Sequence, residues 1–239
     1  MVVSVITVCF NAVHEIEKTI QSVLCQSYSE IEYIIIDGGS TDGTVDIIRK
    51  YTNRITYFMS EPDKGIYDAM NKGLKAATGE WVVFMNAGDT FSSDAILSTV
   101  FSDSYHRGIA VIYGDVYMKD SQGDLYLQEA RPINFLRRAM PFCHQSSFVR
   151  KEAIKEFDLK YKICADYCFF YSLFYDNPNE FYYKSLPISV YDKSHGLSID
   201  RPREHRRENL IIRSKHRDLR WLLDLVKYQV KYNILRLDK

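Results

Sequence analysis

Trp81-Val82-Val83-Phe84-Met85-Asn86-Ala87-Gly88-Asp89 decides how this chain is read: an apolar run suited to a buried strand stops on small and polar residues, the last a carboxylate. Before it lies a helical pattern over Ile66 to Ala77, and before that a strand pattern at Ile55 to Met59 with the loop Ser60-Glu61-Pro62-Asp63-Lys64-Gly65. The same alternation holds back to the start. Val2 to Phe10 is rich in β-branched residues and too short for a good helix, Ile16, Ile20, Val23 and Leu24 share one helical face, and Ile31 to Ile36 is another strand with a helix from Val45 to Tyr51 after it. Strands alternating with helices of this length predict a mainly parallel sheet covered on both faces. Ligands bind such sheets beyond the carboxyl ends of the strands. Asn11, Asp37, the pair Glu61 and Asp63, and Asp89 follow four successive predicted strands and so share that edge. Each alone is a turn former or helix cap; together they predict a binding site.

The second half is less regular. Val111 to Met118 and Leu125 to Leu127 flank a Ser121-Gln122-Gly123-Asp124 turn and read as a hairpin, a helix is expected from Asp166 to Tyr175, and a last strand from Tyr183 to Tyr191. No repeat or linker precedes Ser194, so residues 1–200 read as one domain, with a regular half near 1–100 and a looser half near 101–200. Residues 201–239 form a helical tail with 12 Lys/Arg against 5 Asp/Glu, whereas the remainder has 19 against 26, although the whole chain is neutral. That asymmetry suggests an anionic partner for the tail or a solvated face. The five scattered cysteines, Cys164 and Cys168 included, match neither a disulfide framework nor zinc-site spacing, and reduced cytosolic thiols fit better. The apolar start lacks a basic segment before it, and no window reaches the roughly 18 apolar residues of a membrane span.

Four segments occur in order: Ser4-Val5-Ile6-Thr7-Val8-Cys9-Phe10-Asn11, Asp37-Gly38-Gly39-Ser40-Thr41-Asp42-Gly43-Thr44, Gly65-Ile66-Tyr67-Asp68-Ala69-Met70-Asn71-Lys72-Gly73 and Asn86-Ala87-Gly88-Asp89. In this order and spacing the chain resembles the family 2 glycosyltransferases, inverting enzymes with the GT-A fold, a Rossmann-like α/β arrangement in three layers, which build bacterial surface polysaccharides. The resemblance is dense over the first ninety residues and thinner to about His195.

The resemblance implies roles for particular positions. Asp37 contacts the nucleoside base, with Thr7, Cys9, Asn11 and Ser40 in the same pocket, while Asp68 and Lys72 lie beside the nucleotide and donor sugar; four apart on one helix, those two are also neighbours able to pair. The family's Asp-x-Asp metal motif is reduced here to Asn86, Ala87, Gly88 and Asp89, which leaves one acid. A hard cation such as Mg²⁺ or Mn²⁺ prefers oxygen ligands and can take one or two carboxylates, with phosphate oxygens and waters completing its shell. Metal binding is therefore expected only with the nucleoside diphosphate present, Asn86 orienting Asp89 or meeting a sugar hydroxyl. Inverting transfer needs one base for the acceptor hydroxyl, and Asp166 of Cys164-Ala165-Asp166-Tyr167 matches the family's; an Asp there is also a good helix N-cap. His144 and Gln145 match an acceptor-side segment, and His195 a late loop that closes on diphosphate and metal.

These expectations describe a metal-assisted transferase that moves a sugar from a nucleotide-sugar donor, UDP-linked, to a saccharide or lipid-linked saccharide acceptor in capsule, exopolysaccharide or lipopolysaccharide assembly. The alternative is a catalytically silent nucleotide-sugar-binding or scaffold subunit. Nucleic-acid binding is disfavoured by the acidic body and the absence of a recognition motif. In the tail, Leu219, Leu222, Leu223, Val226 and Val230 form one apolar stripe, and Trp221, Leu225, Tyr228 and Tyr232 a second. One stripe is expected to pack on the catalytic domain or on a second subunit of a homodimer, and the other to lie on the inner face of the cytoplasmic membrane, making the protein cytoplasmic and peripheral.

Overall fold

The computed structural model describes residues 1–102, 108–120, 122–192 and 200–234. Strand β1 (Val3–Cys9) pairs in parallel with β2 (Ile31–Asp37) and β4 (Trp81–Phe84), and β2 in parallel with β3 (Tyr57–Ser60). Their side chains alternate between two apolar clusters, because successive Cβ atoms point to opposite faces. Val3, Val5, Tyr33, Ile35, Trp81 and Val83 face α1 (Ile16–Leu24) and α2 (Thr44–Arg49). Ile6, Val8, Ile34, Ile36, Val82 and Phe84 face α3 (Ile66–Ala76) and α5 (Ala165–Asp176). Gly73 of α3 lets the helix lie close to β1, since a Cβ there would come within 2.5 Å of Ile6. The expected three-layer α/β fold is present.

The sheet is mainly parallel, as expected, and antiparallel pairings enter beyond β4. Among the described residues the strand order is β3-β2-β1-β4-β8-β6-β9-β5, with β7 also on β6. Here β5 is Thr90–Phe91, β6 Val111–Lys119, β7 Leu125–Gln128, β8 Ser147–Arg150 and β9 Phe181–Asp192. The four-residue β8 inserts antiparallel between β4 and β6, and β5 runs antiparallel to β9, while β6 is also parallel to β9, so the sheet is mixed. The expected hairpin is β6 with β7. Strand β3 starts two residues later than its apolar pattern, because Thr52–Arg54 forms a 3₁₀ turn and the strand sits half-exposed at an edge.

After α4 (Ile96–Val100) and α5 the chain continues into α6 (Pro202–Arg213) and α7 (Leu219–Tyr228). The tail packs on the domain through Ile212, which joins the core cluster around α3 and α5, and within it Arg213 Nη1 pairs with Asp224 Oδ2 at 2.9 Å and Trp221 Nε1 donates to the Leu210 carbonyl at 2.9 Å. Of the two apolar stripes, Trp221, Leu225 and Tyr228 line the gap between α7 and α6, whereas Leu219, Leu222, Leu223, Val226 and Val230 are exposed. No helix among the described residues is long and apolar enough to cross a membrane.

Candidate active site

A cleft of about 930 Å³ opens beyond the carboxyl ends of β1 and β4. Its walls bring together residues far apart in sequence: Asn11, Asn86 and Asp89 from the first half, His144, Gln145 and Asp166 from the second, and His205 and Asn209 from α6.

Asp89 is held by a tight turn. Its N–H donates to the Asn86 carbonyl at 2.9 Å, with Gly88 between them at φ 104°, a conformation that favours glycine. Thr19 of α1 fastens the turn, accepting from the Gly88 N–H at 3.0 Å and donating to the Asp89 carbonyl at 2.8 Å. The glycine at the position where the resemblance leads one to expect acid is thus required by the backbone. The Asp89 carboxylate is only 5% exposed; Oδ2 accepts from Gln145 Nε2 at 2.9 Å and Oδ1 faces the Asp192 N–H at 3.4 Å. Burial raises its pKa to about 7, against the opposing effect of those hydrogen bonds and of Lys18. Lys18 and Lys119 both approach Asp192 Oδ2, at 3.7 and 3.4 Å, at this end of the cleft. Asn86 Oδ1 is buried with no hydrogen-bond donor among the described residues. That orphaned oxygen, in the same cleft as the Asp89 carboxylate, suits a hard divalent cation. No cluster of three His, Cys, Asp or Glu ligands exists among the described residues, so a cation there would need further oxygens from its ligand.

Across the cleft, Asp166 lies in the first turn of α5, two residues after the N-cap Cys164. Oδ1 accepts from the Tyr167 N–H at 2.8 Å and lies 2.9 Å from the Tyr67 hydroxyl, which also reaches the Ile163 carbonyl at 2.7 Å. Oδ2 is 3.8 Å from His144 Nδ1. His144 packs among Phe84, Phe157 and Phe170, and burial lowers its pKa despite the Asp166 charge, so the imidazole is neutral near pH 7. Burial and Asp166 together push the Tyr67 phenol well above its ordinary value. The arrangement is a fixed carboxylate with one oxygen engaged and the other toward a neutral histidine, the form a general base takes.

At the nucleoside end, several of the expected residues are engaged within the protein. Thr7 is fully buried against the Tyr33 hydroxyl at 3.1 Å and does not reach the cleft. Asp37 is also buried, and both oxygens are occupied: Oδ2 by Gly39 N–H at 3.1 Å, Ser40 N–H at 2.9 Å and Ser60 Oγ at 2.7 Å, Oδ1 by Ser40 Oγ at 2.5 Å and Cys9 Sγ at 3.5 Å. Burial would raise its pKa, but the Ser40 and Ser60 bonds outweigh it and hold the carboxyl below the usual range. Five donors leave a carboxylate no lone pair for a base, so Asp37 anchors its loop, and Ser40 and Cys9 are its partners. Asn11, at φ 48°, ties that loop to β1 by accepting from the Thr41 N–H at 3.0 Å. The groups presented at this edge are the Phe10 ring, 61% exposed, and Asp63, one of whose oxygens lies where a Cβ on Gly38 would meet it at 2.4 Å. Asp68 and Lys72 do not pair: Asp68 Oδ2 accepts from the Lys64 N–H at 3.0 Å, and Lys72 Nζ bridges Glu61 at 2.8 Å and the Pro62 carbonyl at 3.0 Å. From that segment, Ile66, Tyr67 and Met70 face the cleft instead. Gln145 is wired to Asp89, and His195 lies outside the described residues. Tyr67 lies within the Gly65 to Gly73 segment and is legible there, whereas Lys18, Lys119 and His205 carry no local signal.

The profile described as "Glycosyl transferase family 2" matches residues 4–177. The chain belongs to that family. A relative of this transferase in Mycobacterium bovis, described as a PGL/p-HBAD biosynthesis glycosyltransferase, is 28% identical over 202 residues, 82% of this chain and 78% of the relative. The putative teichuronic acid biosynthesis glycosyltransferase TuaG of Bacillus subtilis is 42% identical over 97 residues, 39% of this chain and 38% of TuaG. Among solved structures, the transferase superposes on S. aureus TarS 1–349 in complex with UDP-GlcNAc with a TM-score of 0.71 at 19% identity, over 97% of this chain and 73% of that one. Against the longer TarS chain it spans only 43%. The mannosyltransferase PcManGT from Pyrobaculum calidifontis, in complex with GDP-Man and Mn²⁺, gives 0.65 at 17% identity over 90% and 65%. The fold of the transferase is therefore GT-A.

Proposed function

We propose that this family 2 glycosyltransferase is an inverting enzyme that transfers a sugar from a UDP-linked donor to a saccharide or lipid-linked saccharide acceptor in surface-polysaccharide assembly. The observation that carries this reading is the single cleft in which Asp166, with His144 and Tyr67, faces Asn86 and Asp89. UDP-GlcNAc in the superposed TarS and the pathway named for TuaG support the donor and the product class.

Asp166 accepts the proton of the acceptor hydroxyl as that oxygen attacks the anomeric carbon from the face opposite the leaving diphosphate. Tyr67 holds Oδ1, so the proton is received on Oδ2, next to the neutral His144. Asn86 Oδ1 and Asp89 would hold a divalent cation, Mn²⁺ or Mg²⁺, which supplies charge stabilisation to the leaving diphosphate. Lys18 and Lys119 add fixed positive charge at the same end. The Phe10 face and the Asp63 carboxylate, on either side of the loop that Asp37 anchors, frame the nucleoside base.

The exposed stripe of α7, flanked by exposed Arg220 and Lys227 with Lys215 close by in sequence, fits an anionic lipid surface. Attachment there brings the cleft to a lipid-linked acceptor. UDP release from a panel of UDP-sugars with Mn²⁺, compared between wild type and Asp166→Asn, tests the function. Undiminished release by the variant removes Asp166 as base, and UDP binding without turnover by the wild type favours a silent nucleotide-sugar-binding subunit.

A further inference from the structure

The loop that precedes α5 is held by a residue from the tail. Glu208 of α6 accepts three successive backbone N–H groups: Lys162 to Oε1 at 2.8 Å, and Ile163 and Cys164 to Oε2 at 3.0 and 2.9 Å. These amides lie immediately before the helix turn that carries Asp166, where the N-cap Cys164 makes no side-chain capping bond of its own. The start of a helix leaves backbone donors unpaired, and a carboxylate is favoured there by the helix dipole. Glu208 therefore ties down, from about forty residues away, the loop that leads into the helix, with the N–H of the N-cap residue among its donors.

The same peptide is gripped on its other side. The Ile163 carbonyl faces the Tyr67 hydroxyl at 2.7 Å, and that hydroxyl also reaches Asp166 Oδ1 at 2.9 Å. Residue 163 is thus clamped between α6, through its N–H, and α3, through its carbonyl. On α6 the neighbours of Glu208 one residue on and three back, Asn209 and His205, line the cleft. One face of α6 forms the cleft wall while Glu208 fixes the loop beside it.

We propose that Glu208 is the positioning residue for Asp166, which makes α6 an integral part of the active site; this rests on the reading of Asp166 as the base. Charge-assisted bonds to a carboxylate are about twice as strong as neutral ones, so three of them define the loop closely. Misplacement of a reacting group by about 1 Å can cost about 100-fold in rate.

The test compares wild type, Glu208→Ala, Glu208→Gln and Asp166→Asn. Turnover is read as UDP release from UDP-GlcNAc and other UDP-sugars, UDP affinity by calorimetry with Mn²⁺, and loop order by amide hydrogen exchange. Glu208→Ala is expected to lower kcat about 100-fold with UDP affinity unchanged, because the nucleotide end is built on β1, β2 and β3, away from α6. The amides of Lys162, Ile163 and Cys164 exchange faster in that variant. Glu208→Gln, which keeps one acceptor oxygen, recovers part of kcat and part of the protection. Equal losses of kcat and UDP affinity in both Glu208 variants would reveal general destabilisation and overturn the proposal. So would unchanged protection of the three amides, which requires no substrate to measure. Wild-type kcat in Glu208→Ala alongside an inactive Asp166→Asn refutes the positioning role alone, whereas an active Asp166→Asn refutes the base assignment.

Discussion

Asp89→Asn is expected to make this transferase more stable above pH 7 while weakening its metal-dependent nucleotide binding. Burial lifts the Asp89 carboxyl from an ordinary 3.8 to about 7, a gap of about three units and so on the order of 4 kcal/mol at 1.36 kcal/mol per unit. The sign follows from proton binding. Between about pH 3.8 and 7 the folded state keeps the Asp89 proton that the unfolded chain has released, so stability falls as pH rises through this window and levels off above 7. An Asn, always neutral, escapes that loss. Its amide oxygen can still accept from Gln145 Nε2, although its NH₂ then faces the Asp192 N–H where the Asp89 oxygen now sits. That mismatch reduces the gain to roughly 2 to 3 kcal/mol at pH 8, or roughly 5 to 10 °C in Tm for a chain of this size. Denaturation of both proteins in chelating buffer between pH 5 and 8.5 measures it, with the gap narrowing by about 1.4 kcal/mol per unit below pH 7. Parallel curves, or a variant less stable at pH 8, would refute the buried-charge argument. Addition of UDP with Mn²⁺ should then raise the Tm of the wild type and move that of the variant much less.

Asp166→Asn should bind UDP with wild-type affinity in calorimetry and lose about 100- to 10,000-fold in transfer. Tyr67→Phe removes the hydroxyl shared by Ile163 and Asp166; kcat is expected to fall about tenfold, the equivalent of one hydrogen bond of about 1.4 kcal/mol, with UDP affinity unchanged in the same assay. Replacing Leu222, Leu223 and Val226 together by Gln should abolish flotation with anionic liposomes and leave the melting curve intact, since all three are exposed. Deletion of the whole tail is the wrong control, because α6 lines the cleft; loss of turnover after truncation near residue 200 would show this directly.

Much of the fold was readable from local pattern. The β-branched runs at Val3 to Cys9 and Ile31 to Asp37 allow little but buried strands, and Asn11, Asp37, Asp63 and Asp89 reach one edge because parallel strands share a direction. Asp89, Asp166 and His144 were likewise recognisable by motif, and they do meet in one cleft. Other features depend on which partner a side chain finds across the fold. The mixed sheet required β8, four residues with no strong pattern, to enter between β4 and β6. Asp37 became a loop anchor because Gly39, Ser40, Ser60 and Cys9 all turn donors toward it. Lys72 chose Glu61 over Asp68, and α7 turned Trp221 inward and Leu222 outward, since a two-sided apolar helix does not record which face will be covered. Glu208 is the clearest case. In sequence it is one acid in a basic helix, and only the packing of α6 beside α5 brings its carboxylate to the unpaired amides before Asp166. Periodicity and motif determine elements and their edge, because these depend on near neighbours; ligand-ready oxygens and anchored loops are decided by contacts that exist only once the chain has closed on itself.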